Sequence, residues 1–124
     1  MSGAAVPIRR KPLLTAVLSG GSIQRVEIKQ VELPPGQRAG LHRHPCPVVG
    51  YVAQGAISFQ IQGQPIQHLR SGDAFFEPRD ARVAHFDNAS ASDAATFIAF
   101  YLLGGDDERL IEMLDSKEET SDAR

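Results

Sequence analysis

At 124 residues the chain is a single domain's worth, long enough to bury an apolar core unaided, and its lone cysteine can close no internal bridge. Net charge is −2, with seven Lys/Arg against two Glu over residues 1–43 and eight Asp/Glu against three Lys/Arg over 106–124. Basic residues so scattered, with no Trp, argue against a nucleic-acid partner, and no apolar run approaches the roughly 20 residues that span a bilayer.

Residues 1–12 are small, basic and proline-containing, and read as a loosely held N-terminal segment. Arg9-Arg10-Lys11 before Pro12 to Leu18 resembles a secretory leader, but the apolar run is short, opens on proline and meets Ser19-Gly20-Gly21 with no clear cleavage pattern. The expectation is a cytoplasmic protein with its ordered domain over residues 13–105 and its first strand near Leu13. Apolar residues at 26, 28, 31 and 33 alternate on either side of a phase slip at Lys29-Gln30, which reads as a β-bulge or a change of sheet. Pro34-Pro35-Gly36 turns the chain toward its most chemically loaded stretch, His42-Arg43-His44-Pro45-Cys46-Pro47.

Histidines two apart on an extended segment point to the same side, so two imidazoles converge on one ion there, whereas a helix would separate them. The prolines exclude helix and central sheet, which places the pair at the mouth of a strand. Cys46 continues the same parity but reads as a buried or loop thiol.

Val48 to Ala53 is apolar on both faces, and Ile57, Phe59 and Ile61 alternate with polar residues in a half-buried strand. Short strands follow over 66–69, 74–77 and 82–86, with a long one over 96–103. The phenylalanines are assigned to the core, His68 to solvent and Glu77, ahead of Pro78, to a surface salt bridge. About nine short strands with turns at intervals of roughly ten residues make an antiparallel sandwich or barrel. Beyond Gly104-Gly105, acids at 106–108 and an apolar stripe at Leu110, Ile111 and Leu114 predict a short helix, then an acidic tail to 124.

Together these residues resemble the cupin superfamily, in particular its small type-2 members. Gly36, His42, His44 and Gly55 sit at the spacing of the first cupin motif, and Gly72, Pro78 and Asn88 fit the second. The resemblance implies an all-β antiparallel cupin barrel of jelly-roll type. It also implies a metal site of three histidines and a glutamate facing the interior. Here the glutamate seat falls on Val48, and the seats of the second motif's glycine and histidine fall on Asp80 and Val83. His85, two residues along, reads either as the displaced third ligand or as a strand histidine hydrogen-bonded near the rim; the metal set the resemblance implies is His42, His44 and His85, with Val48, Gly50 and Phe59 lining the cavity. The ion implied is a divalent transition metal: iron, zinc, manganese or nickel. Such three-histidine cupins resemble thiol and diketone dioxygenases.

Two functions from different classes follow. One is a metal-dependent cupin enzyme, dioxygenase-like or isomerase-like, acting on a small organic molecule. The other is a small-molecule binder or sensor with the same cavity, metal-free or weakly metal-binding, and no catalysis. The basic N-terminal segment and the doubly apolar last strand predict a homodimer with one sheet face covered by a partner.

Overall fold

The structure is a computed structural model that describes residues 7–104 and 109–114. It is all-β: nine antiparallel strands in two sheets form the described part of a barrel. The first sheet has the order β1 (Arg25–Leu33), β8 (Ala95–Leu103), β3 (Val48–Gln54), β6 (Ala74–Glu77). The second has the order β5 (Gln67–Arg70), β4 (Ala56–Ile61), β7 (Val83–Asn88), β2 (His42–Arg43), β9 (Glu112–Met113).

The core lies between the inner faces. Phe59, Phe75, Phe86 and Phe97 meet there edge-to-face, with centroids 4.7 to 6.1 Å apart, the arrangement that ring quadrupoles prefer. Val52, Val83 and Leu103 fill the space around them, and Cys46 is buried in the same core. Gly55 turns β3 into β4 with φ at +95°, a left-handed conformation that residues with a Cβ adopt only under strain. Asn88 ties the sheets together at one end: its amide nitrogen lies 2.8 to 3.1 Å from the carbonyls of Leu33, Pro34 and Asp93, while its oxygen accepts from Ser90 N–H.

Three expectations are corrected. No strand forms at Leu13; the chain from residue 7 to 24 has no regular structure and the first strand starts at Arg25. Part of that segment lies over the outer face of the first sheet, where Leu13, Leu14 and Leu18 with Tyr51, Phe100 and Leu102 enclose a groove of about 410 Å³. The slip at Lys29-Gln30 is neither bulge nor change of sheet, since β1 pairs with β8 without interruption from Arg25↔Leu103 to Leu33↔Ala95. The strand instead changes the face it makes apolar: Val26 and Ile28 point out and are exposed, while Val31 and Leu33 point in.

The predicted helix stripe is also strand. Glu112 and Met113 pair with Arg43 and His42, and Leu114 N–H donates to the Leu41 carbonyl. The ladder open beside the two-residue β2 offers those backbone groups partners, and pairing overrides the local helical pattern. The acids at 106–108 lie outside the described residues.

Candidate metal centre

His42 and His44 leave β2 on its inner side, as their spacing requires, and both are buried. Each is held from behind. The Nδ1–H of His42 donates to the Gly40 carbonyl at 2.7 Å, and that of His44 to the Leu110 carbonyl at 2.5 Å. With Nδ1 so engaged, a neutral ring presents the Nε2 lone pair to the interior, the tautomer that a metal ligand needs. The rings stand edge-to-face with centroids 5.0 Å apart.

The third member is Glu77, and this corrects the expectation of a surface salt bridge. It is only 3% exposed, and its Oε1 lies 2.8 Å from His44 Nε2 and 3.8 Å from His42 Nε2. Ligand atoms of all three residues fall within 4.8 Å of one another. Pairing explains how it arrives. Glu77 on β6 is directly opposite Val48 on β3, so the neighbouring strand returns a carboxylate beside the seat where the first motif has lost one. In the same way His42 is opposite Val83, the empty histidine seat.

His85 is not brought to this centre. Its Nδ1 bonds the Asp87 carboxylate at 2.9 Å on the outer side of the second sheet, and its side chain is 39% exposed. The cause is a register shift. Gln60 pairs with His85 and Ile61 with Val83, so one extra residue on β7 separates the two pairs and reverses the alternation between them. Val83 and Phe86 face inward, and His85 faces out. His68 is exposed, as expected.

Of the three expected lining residues, Val48 borders the cavity at the histidines. Gly50 does not: a Cβ there would come within 2.6 Å of the Phe75 ring and 2.1 Å of the Ile98 carbonyl oxygen, so this glycine makes room for a core aromatic. Phe59 is packed among Phe75 and Phe86 in the core. The cavity of about 150 Å³ is walled mainly by Val31, Leu33, Val48, Phe97 and Ile111. Tyr101, which no motif in the sequence singles out, also lines it, edge-on to His44 with centroids 5.6 Å apart.

Electrostatics set the protonation states. In the metal-free site burial pushes the Glu77 carboxyl up, but the two imidazoles facing it, which can carry protons there, outweigh this and leave it below its ordinary range. Burial likewise pulls the His42 imidazole down, and the facing Glu77 carboxylate with the bond to the Gly40 carbonyl more than offsets this, leaving it raised. Burial, then the Glu77 carboxylate, pushes the Tyr101 phenol up to about 12, so it stays a hydrogen-bond donor.

A divalent cation fits these residues. Oε1 of Glu77 is buried with no hydrogen bond of acceptable geometry, although His44 Nε2 is only 2.8 Å away. With both Nδ1–H groups spent on carbonyls, neutral rings turn two Nε2 lone pairs toward a carboxylate oxygen, an arrangement that is repulsive unless a cation sits between them. The space between them calls for a proton or a metal ion.

Comparison with known proteins agrees with this architecture. The cupin domain model matches residues 29–101. Among solved structures, a cupin-2 domain protein from Rhodospirillum rubrum superposes with a TM-score of 0.64 at 17% identity, covering 84% of this chain and 66% of that one. A cupin-like protein from Thermotoga maritima gives 0.61 at 21%, covering 80% and 75%. A DMSP lyase from Ruegeria pomeroyi gives 0.61 at 22%, covering 71% of this chain and 42% of its own length, so this chain spans well under half of that enzyme. No curated protein matches in sequence. With the family model spanning more than half the chain and the histidine pair seated as its motif requires, the protein belongs to the cupin domain family.

Proposed function

We propose that this cupin is a metal-dependent protein in which His42, His44 and Glu77 hold one divalent transition-metal ion and a small organic molecule binds beside it in the apolar cavity. The observation that carries the reading is the orphaned Oε1 of Glu77, buried opposite two histidines whose outer nitrogens are already engaged. Two histidines and one carboxylate with open positions is the donor set of non-haem iron(II) oxygenases, and a bound ion would supply Lewis-acid or oxygen-activating chemistry there.

The chain's own residues supply the rest. The Gly40 and Leu110 carbonyls fix the ring orientations, and the apolar walls exclude water. Tyr101 keeps its proton and offers an O–H donor to an oxygen held in the cavity. A cavity of about 150 Å³ matches one known to admit benzene, so the ligand has about six non-hydrogen atoms. Similarity of fold to an oxalate oxidase, at 18% identity, and to DMSP lyases is compatible with an enzyme acting on a small acid, while the barrel itself hosts many chemistries.

The test is elemental analysis of untagged, freshly purified protein beside Glu77→Gln and His44→Ala. Near one ion per chain is expected in the parent and close to none in either variant. Parent protein without metal, and unable to take it up on dialysis, would leave the cavity as that of a non-catalytic binder.

A further inference from the structure

Among the described residues, the lining of the cavity beside the histidines has one carboxylate and no Lys or Arg. Apart from His42, His44, Glu77 and Tyr101 that lining is entirely apolar. Two neighbouring arginines are engaged elsewhere: Arg43 pairs with Glu112 at 2.8 Å, and Arg79 donates to the Pro45 carbonyl at 2.6 Å. Net charge in the site is therefore set by Glu77 and by the ion it would hold.

A divalent ion on two neutral imidazoles and one carboxylate leaves a single positive charge, buried among Val31, Leu33, Phe97 and their neighbours. Such surroundings penalise any charge that is not compensated. One negative charge on an incoming ligand brings the buried group to neutrality. A second would leave an anionic oxygen against apolar walls, with the Tyr101 hydroxyl as the sole further donor among the lining side chains.

Building on the metal site proposed above, we propose that the cavity selects a monoanionic chelator with two oxygens and a small apolar remainder, of the α-oxo or α-hydroxy monocarboxylate class, and rejects dianions. Pyruvate and oxalate have the same number of non-hydrogen atoms and differ by a methyl group against an anionic oxygen. Size does not separate them in this cavity, and charge does.

The experiment titrates the Co²⁺-loaded full chain with pyruvate and with oxalate, reading the visible absorption of the ion and the heat of binding. Its double charge makes oxalate the stronger ligand for the free ion. In the protein the oxalate-over-pyruvate affinity ratio is expected to fall by about a hundredfold or more relative to the free ion in the same buffer, the scale set by one uncompensated buried charge. Ile111 stands at the cavity edge, 44% exposed. Ile111→Lys adds a cation there and is expected to raise the ratio about tenfold, whereas Ile111→Gln leaves it within about twofold. A parent ratio equal to that of the free ion overturns the selectivity and leaves the metal site standing. Failure to load Co²⁺, or loading that survives Glu77→Gln, overturns both.

Discussion

The two sheets are alike within and unlike without. Both inner faces are apolar and share the phenylalanine cluster. Outside, the second sheet carries Ser58, Gln60, His68, His85 and Asp87, the polar exterior of an ordinary half-solvated antiparallel sheet. The first sheet carries Val26, Ile28, Tyr51, Ile98 and Phe100 in the same role, only partly covered by the segment around Leu13 and Leu14. One sheet turns a polar face outward, and the other an apolar one. Between them lies the candidate metal centre, with its histidines on the second sheet and its carboxylate on the first.

The largest effect expected is on the inner join. Removing the first sheet's contribution with Glu77→Gln abolishes metal retention, whereas His85→Ala, on the outer side of the second sheet, leaves metal content unchanged. Loss of metal in His85→Ala would restore a three-histidine site and break the contrast.

Next is Gly50→Ala, where the added carbon meets a carbonyl oxygen at 2.1 Å and an aromatic carbon at 2.6 Å. Overpacking of this kind costs about 3 kcal/mol or more, and urea denaturation should show a midpoint far below the parent's. Asn88→Ala comes third. It strips the amide from three carbonyls at the end of both sheets, and unfolding is expected to be easier by about 2 to 3 kcal/mol.

A pH profile of the metal-free protein separates the two ionisations that hold the join. His42 is raised above its ordinary 6.5, so its contribution is complete below that value and is lost as pH climbs through the raised one. Glu77 is lowered below 4.5, so its contribution is complete above that value and is lost as pH falls through the lowered one. The melting temperature should therefore be highest between pH 4.5 and 6.5; a rise in stability on going above pH 8 contradicts the sign for His42, and a rise on going well below pH 4.5 contradicts that for Glu77.

The smallest effect on stability is expected on the outer faces. Ile28, 61% exposed on the first sheet, tolerates Glu at a cost within about 0.5 kcal/mol in an isolated chain. The homodimer expected from the sequence has this face as its natural contact. Ile28→Glu should then turn a dimer into a monomer in sedimentation at micromolar concentration, while Gln60→Glu on the second sheet should not. A parent chain that sediments as a monomer removes the dimer.

What was legible in the sequence is what local rules determine. Period-two spacing and proline placed His42 and His44 on an inner strand face, and alternation at Ile57 to Ile61 gave β4 directly. Glu77 was hidden because its meaning lies in a long-range pairing, Val48 with Glu77, that no stretch of either strand encodes alone. Parity counted from Val83 does not carry to His85, because a register shift in the pairing of β7 with β4 falls between them and shows only once the two strands are aligned. The left-handed Asp80, φ +63°, occupies the seat where the second motif has glycine and donates its N–H to the His44 carbonyl; a missing glycine did not mean a missing turn.

The Leu110 carbonyl that holds His44, the Ile111 side chain on the cavity wall and the β9 pairing beside His42 belong to one short run of chain. Thermodynamic reciprocity then applies to that run. Whatever fills the centre fastens the C-terminal segment in proportion to how strongly that segment favours filling, and whatever peels the segment away weakens the centre by the same factor. Occupancy of the centre should therefore be legible from a distance, as protease resistance and slowed amide exchange at Leu114, before any substrate is known.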